Sequence, residues 1–307
     1  MPYCLYDNTC KVQQTMLDDL SIIIVNYKSE EDIKNLYSRI SGVAEFVVVD
    51  NSSSSELRQW CSHDDIHYID SGGNHGYSGG NNMGIRYSLD ELNRESVLVL
   101  NPDLEINKED IRELYTIHQS TNYSIISPRI LNREGIPVNE SPTPEGTLFR
   151  SIGLLPALPG KEHNLKPVDH AHGSCMMISE SVFEQIGYLN ESFFMYYEEI
   201  EFCYRARREN INIGQCQVVD AIHNQPVDQT RFESSYQVYL DFRNRFLASN
   251  SIFSKSIDRI QYTTLSILIS GWMVVRMLFE KKIEYIAPAI FGALHGIQNR
   301  TGKPERM

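Results

Sequence analysis

The strongest constraint on the fold is an alternation of two periods in the first hundred residues. Ser21–Val25 (SIIIV) is an apolar, mostly β-branched run, and Phe46–Val49 is a second. Between them Ile33, Leu36 and Ile40 recur at helical spacing. The chain therefore opens as strand, helix, strand. The pattern then repeats. Ser52–Ser55 supplies N-cap residues to a short helix through Trp60, Ile66–Ile69 reads as a strand, and Val97–Leu100 reads as a fourth. Runs apolar on both faces and joined by helices predict parallel strands with crossover connections, hence a doubly wound α/β sheet with helices on both faces.

Farther along, five prolines and three glycines between Glu140 and Asp169 break any period, and the stretch reads as one long loop. A strand over Ser174–Ile178, a helix near Glu180–Ile186, a helix starting near Glu198 and a strand near Ile213–Val219 follow. Helices are expected from Val227 onward.

Composition narrows the function classes. Hydrophobic residues make up 41% and charged residues 22%, ordinary for a globular chain. A net charge of −12 argues against a nucleic-acid binder, which needs clustered Lys and Arg. The charge is uneven: residues 243–307 hold ten Lys/Arg against four acids, a local net of +6. The six cysteines (Cys4, Cys10, Cys61, Cys175, Cys203, Cys216) show no CxxC pair or zinc spacing and read as packing residues in a reducing compartment. Residues 1–20 lack a basic region followed by an apolar run, so a cytoplasmic location is expected.

Ligands of an open parallel sheet bind beyond the carboxyl ends of its strands. Here those ends read Val25-Asn26-Tyr27, Asp50-Asn51-Ser52 and Asn101-Pro102-Asp103. A lone Asp such as Asp50 is most simply a helix cap. The segment from Asn74 to Gly84, NHGYSGGNNMG, concentrates glycine and asparagine ahead of a helix, where backbone N–H groups can approach an anion. It has neither dinucleotide-fold nor P-loop spacing.

Taken in order, SIIIVNYKS, VVVDNSS, NHGYSGGNNMGI, VLVLNPDLEI and FFMYYEEIEFCYR resemble the family 2 glycosyltransferases, in particular the bacterial rhamnosyltransferases of cell-surface polysaccharide assembly. The resemblance covers about residues 20–225 and implies a GT-A fold with a C-terminal helical extension. It implies that Val25, Asn26 and Asp50 contact base and ribose, and that Gly76, Asn81, Asn82 and Asn101 line the same nucleotide site. Asp103 is then the one carboxylate of a DxD-like position. With His223 it would hold Mg²⁺ or Mn²⁺, the shell being completed by donor phosphates. His170 and His172, two apart with no third ligand evident, are assigned no metal.

In Tyr196-Tyr197-Glu198-Glu199-Ile200-Glu201 three carboxylates crowd a helix start beside aromatic residues. Helix-dipole placement accounts for part of this. The resemblance makes Glu199 the catalytic base, where most relatives carry Asp. Glu198 and Glu201 read as acceptor-binding or helix-orienting residues, and Glu201 stands four residues before Arg205, the spacing of an ion pair. Gly173 and Ser174 resemble a segment lining the sugar pocket, and read equally well as the start of a buried strand.

The expected organisation is an N-terminal extension over 1–18, a catalytic domain over 19–240 with nucleotide-binding (19–105) and acceptor-binding (106–240) halves, and a helical segment over 241–307. The apolar run Tyr262–Val275 ends at Arg276, short of a membrane span, and predicts a helix packed on the catalytic domain or on a second copy in a homodimer. Its basic surroundings give a second reading, peripheral contact with the inner face of the membrane, where a polyprenyl-diphosphate-linked acceptor would lie. The expected donor is dTDP-L-rhamnose. UDP-hexose or UDP-galactofuranose transfer, a non-catalytic nucleotide-sugar binder and, last, a nucleotidyltransferase are the alternatives.

Overall fold

The computed structural model describes residues 16–64, 66–138, 144–162, 164–223 and 234–304. Most of the expected N-terminal extension, with Cys4 and Cys10, and Val227 thus lie outside the described residues.

The four expected strands form as β1 (Leu20–Asn26), β2 (Glu45–Asp50), β3 (His67–Asp70) and β4 (Ser96–Leu100), with β2–β1–β4 and β3–β2 all parallel. The sheet continues through β8 (Cys175–Ser179), which runs antiparallel to both β4 and β6 (Ile125–Leu131), and then through β9 (Ile213–His223), parallel to β6. Short antiparallel segments β5 (Leu104–Glu105) and β7 (Leu165–Pro167) pair with β9. The order is β3-β2-β1-β4-β8-β6-β9-β5. The sheet is mostly parallel, as expected, with reversed strands that periodicity does not reveal.

Alternate strand residues feed two layers, which is why the strands are apolar on both faces. Ile22, Ile24, Val48 and Leu98 pack under α1 (Glu30–Ile40), α2 (Ser55–His63) and α4 (Lys108–Ser120). Ile23, Val47, Val49 and Val99 pack under α3 (Gly76–Arg86), α6 (Glu180–Ile186) and α7 (Glu198–Arg208). The four described cysteines are buried free thiols, in keeping with a packing role.

Three expectations are corrected. The glycine- and asparagine-rich segment is itself the body of α3, and its glycines serve close packing. A Cβ on Gly80 would stand 2.7 Å from Val25, one on Gly84 2.5 Å from Ile23, and one on Gly76 would strike the Phe194 carbonyl. The loop expected between Glu140 and Asp169 contains α5 (Pro144–Ser151) and β7, because Phe149, Leu154 and Leu155 bury against Tyr197, Tyr204 and Tyr262. Strand β9 runs on through His223 rather than stopping at Val219. Helix α8 (Ser235–Ile252) spans position 241.

Helix α9 (Ser256–Phe279) is 24 residues long, and by length and apolarity it is sufficient to cross a membrane, so the shorter run expected from Arg276 understated it. Helix α10 (Ile286–Ile297) seats on α8, where Cβ atoms on Gly292 and Gly296 would strike the carbonyls of Tyr239 and Arg243. On α9 the buried stripe is Tyr262, Ser266, Ser270, Met273 and Met277, whereas Leu268, Trp272, Val275 and Phe279 face outward.

Candidate active site

A cavity of about 840 Å³ opens beyond the carboxyl ends of β1, β2 and β4. Val25 and Tyr27 from β1, Asn51 after β2, Asn74, Gly76, Tyr77 and Asn81 at the start of α3, and Asn101–Asp103 after β4 line it. Phe194, Met195, Tyr236, Lys303 and Pro304 complete the wall. The volume suits a ligand larger than a single sugar.

Asn26 and Asp50, expected at the base and ribose, are fully buried and occupied internally. Asn26 Nδ2 donates to Asp50 Oδ1 (2.8 Å) and Ser52 Oγ (2.9 Å), and its Oδ1 accepts from the Ser29 N–H. Asp50 also accepts from the backbone N–H of Ser52 and Ser54 and from the Tyr68 hydroxyl. Burial pushes the Asp50 carboxyl up, but hydrogen bonds from Ser52, Tyr68 and Asn26 outweigh it and hold it below its ordinary value. The pair braces the ends of β1 and β2. The neighbouring Asn51, which motif reading left unassigned, takes the wall position. Its Nδ2 donates to Gly76 O (2.9 Å), while its Oδ1 is buried without a partner. Its place in the Asp50-Asn51-Ser52 triplet was the available signal.

Asn81 lines the cavity and donates to Tyr77 O (2.9 Å). Asn82, by contrast, points away from it. Its amide donates to Leu189 O and Glu191 Oε1 and accepts from the Leu189 N–H, so it anchors the loop before α7.

Strand register assembles the polar edge. Leu104 of β5 pairs with His223 at the end of β9, bringing Asp103 Oδ2 within 3.5 Å of His223 Nε2. Asp103 is about one-third exposed toward the cavity and His223 is buried. The His172 ring centroid is 6.3 Å from that of His223. Desolvation, followed by the nearby His223 and His170, lowers its pKa to about 3, so His172 is a neutral ring. Its Nδ1 accepts from the Ser174 hydroxyl (2.7 Å). Among the described residues no group of three His, Cys, Asp or Glu converges as a complete metal cage.

The other edge is the start of α7. Pairing of Leu100 with Cys175, and the Asn101 N–H bond to Ser174 O (2.8 Å), place Gly173 beside the cavity. The Tyr77 hydroxyl donates to the Gly173 carbonyl. Glu199 is half-buried and packs on Gly173, where an added Cβ would stand 3.3 Å from the Glu199 Cβ. Desolvation, with Glu198 and Glu199 nearby, keeps the Tyr77 hydroxyl well above its ordinary pKa and hence a donor. Glu198 is buried with Oε2 unpartnered. Burial first, then the Glu199 charge, raises its pKa well above the ordinary value. Glu201 is fully buried and bound by Arg205 (2.6 and 3.1 Å), so of its two expected roles the structure displays helix orientation.

The approach to α7 is conformationally costly. Phe194, Tyr196 and Tyr197 all have positive φ (68°, 66° and 74°), at about 1 kcal/mol or more each. Side chains from α8 hold them. Asn244 Nδ2 donates to Met195 O (2.8 Å) and Tyr196 O (2.7 Å), and Arg243 Nη2 donates to Phe193 O (2.7 Å). The Tyr197 hydroxyl donates to Glu145, itself paired with the buried Arg245.

A mostly parallel sheet with a ligand cavity at its strand ends, an acid–histidine pair on one rim and a carboxylate cluster on the other is a GT-A glycosyltransferase arrangement. The chain belongs to glycosyl transferase family 2, which it matches over residues 21–187. It is 27% identical to the dTDP-rhamnosyl transferase RfbF of Shigella flexneri, across 94% of this chain and 98% of that protein. It is 26% identical to the rhamnosyltransferase WbbL of Escherichia coli, across 78% of this chain and 97% of that protein. Among solved structures it resembles S. aureus TarS in complex with UDP-GlcNAc (TM-score 0.56, 14% identity, 92% of this chain and 81% of that one). It also resembles the mannosyltransferase PcManGT from Pyrobaculum calidifontis in complex with GDP-Man and Mn²⁺ (TM-score 0.57, 10% identity, 92% and 88%). At such identity these two structures speak to the fold alone.

Proposed function

We propose that this glycosyltransferase moves L-rhamnose from dTDP-L-rhamnose, with inversion at the anomeric carbon, onto a hydroxyl of a polyprenyl-diphosphate-linked glycan in surface-polysaccharide synthesis. The two rhamnosyltransferase relatives support the donor choice. The observation that carries the mechanism is the packing of Glu199 on Gly173, whose carbonyl is held by the cavity residue Tyr77. In the proposed step Glu199 takes the proton of the acceptor hydroxyl as that oxygen attacks the anomeric carbon. The bond from that carbon to the diphosphate oxygen breaks, and its electron pair leaves with the nucleoside diphosphate.

Val25, Asn51, Gly76, Asn81 and Asn101 receive the nucleotide in this reading, with Asn26 and Asp50 positioning Asn51 from behind. Asp103 and His223 offer one carboxylate and one imidazole nitrogen, a donor set that fits Mg²⁺ or Mn²⁺ when phosphate oxygens fill the remaining positions. A metal held there would offset charge on the departing diphosphate. Gly173, Ser174 and the buried Glu198 form the sugar and acceptor side. The outward apolar face of α9, with Lys281 and Lys282 beyond its end, fits peripheral contact with the cytoplasmic face of the inner membrane, where such an acceptor lies.

The test is release of dTDP from dTDP-L-rhamnose in the presence of bacterial lipid extract, with UDP-glucose and UDP-galactofuranose as competing donors. Lipid-dependent turnover of dTDP-L-rhamnose is expected, and Glu199→Gln should lower it by about 100-fold or more with nucleotide binding intact. Full activity in that variant sinks the base assignment, and turnover of the UDP-sugars alone sinks the donor.

A further inference from the structure

Beyond α10 the chain turns back toward the catalytic domain, and it is fastened there. The Gly302 N–H donates to Ser192 O (2.8 Å), and the Gly302 carbonyl accepts from Nη1 of the buried Arg243 (2.7 Å). The same Arg243 holds the Phe193 carbonyl, so one side chain ties this segment to the loop that leads into α7. The fastening brings Lys303 and Pro304 into the wall of the cavity that Asn101 and Asp103 line.

Among the described residues, Lys303 is the one Lys or Arg that lines that cavity. Its Nζ lies 5.9 Å from the Phe194 ring centroid, and none of the ion pairs among the described residues includes it. The charged partners across the cavity are Asp32 and Asp103, both acidic. Among the described residues, an anionic ligand entering there meets two carboxylates that repel it and one ammonium group, outside any ion pair, that attracts it. Lys303 is compact, flexible and exposed, suited to a phosphate as a point charge.

We infer that Lys303 binds the diphosphate of the nucleotide sugar, so that the segment after α10 completes the donor site from a position some two hundred residues beyond the motif it serves. The inference rests on the nucleotide-sugar reading above. It assigns the C-terminal helices a second role, since α8 and Arg243 position the segment that carries this charge.

Calorimetric titration of the full chain with UDP and dTDP, and with UMP and dTMP, tests it. Lys303→Ala should weaken the nucleoside diphosphates about tenfold and the monophosphates less than about threefold, while Lys303→Arg should stay within about threefold of wild type for both. The diphosphate effect should shrink as salt rises. Unchanged diphosphate affinity in Lys303→Ala, against a wild type that binds, overturns the role of Lys303 alone. Equal loss for mono- and diphosphates also overturns it, marking a cavity wall rather than a charge contact. A wild-type chain that binds neither diphosphate overturns the nucleotide-sugar reading itself.

Discussion

Asp103 and His223, 120 positions apart in the chain, come within 3.5 Å because β5 pairs with the last residues of β9. As the proposed metal ligands, the two would leave most of a Mg²⁺ or Mn²⁺ shell to be filled by phosphate. Metal and nucleotide should therefore stabilise the protein together. In thermal-shift titrations, Mn²⁺ is expected to enlarge the shift given by UDP or dTDP, with about 2.7 kcal/mol available at 100-fold excess over Kd. Asp103→Asn or His223→Ala should abolish that Mn²⁺ increment while keeping the nucleotide-only shift. An increment that survives both substitutions rules the pair out as metal ligands.

The buried Glu198 makes a pH prediction. Below the ordinary carboxyl value of 4.5 both folded and unfolded chains hold its proton, and its contribution to stability is complete. As pH rises the unfolded chain ionises while the buried, Glu199-facing carboxyl stays protonated, so stability is lost until the folded group itself titrates. Glu198→Gln keeps the shape without the titration. Its urea midpoint is expected to exceed that of wild type at about pH 8, with the gap closing toward about pH 5. A gap that widens on acidification contradicts a neutral Glu198.

Gly173 gives a geometric test of Glu199 that leaves the carboxylate in place. A methyl group at 173 would stand 3.3 Å from the Glu199 Cβ, so the side chain must yield by a few tenths of an ångström. Since about 1 Å of misplacement costs about 100-fold, Gly173→Ala should lower kcat about tenfold, with the KM for donor little changed. Loss confined to KM would place Glu199 away from the reacting atoms.

Asn244 carries the cost of the loop ahead of α7. Its amide serves the Met195 and Tyr196 carbonyls where Tyr196 and Tyr197 adopt positive φ. Asn244→Ala leaves those carbonyls without their donor, and about 2–3 kcal/mol of stability should go, with a Tm lower by roughly 3–5 °C. Activity should fall further than stability alone explains, because Glu198 and Glu199 start at the next residues. A variant destabilised as expected but fully active would separate the loop from catalysis.

What the sequence made legible was local. The β1–β4 runs and the Ile33/Leu36/Ile40 helix face declared themselves by period, and Glu201–Arg205 by its i,i+4 spacing. Strand ends located the cavity because open sheets bind there. The rest depends on contacts between distant segments. The α3 glycines look like an anion cradle until β1 is seen 2.5–2.7 Å from where their Cβ atoms would be. Asp50 looks available until Tyr68, Ser52 and Ser54 are found upon it. Helix α5 hides behind the prolines and glycines of its segment because tertiary burial of Phe149, not propensity, holds it. The apolar run Tyr262–Val275 marked the helix α9 but not which of its sides faces the protein.

That last ambiguity leads to the membrane. On α9 the small polar Ser266 and Ser270 point inward, while Leu268, Trp272 and Phe279 are 64%, 62% and 84% exposed. Tyr262, Met273 and Met277 pack inward, yet a second, larger apolar face is left outside. Apolar surface of that kind marks a contact site, and each side chain gains about 1.5–3 kcal/mol on full burial. With Lys281 and Lys282 following, the membrane contact proposed above predicts binding to an anionic bilayer surface. In flotation with vesicles containing phosphatidylglycerol the protein should rise with the lipid, and Leu268→Ser with Trp272→Ser and Phe279→Ser should leave it behind. UDP and dTDP affinity should be unaffected, since these residues lie outside the donor cavity. If the wild type stays in the aqueous fraction and light scattering shows a dimer that the triple variant breaks, a second copy of the chain covers this face instead.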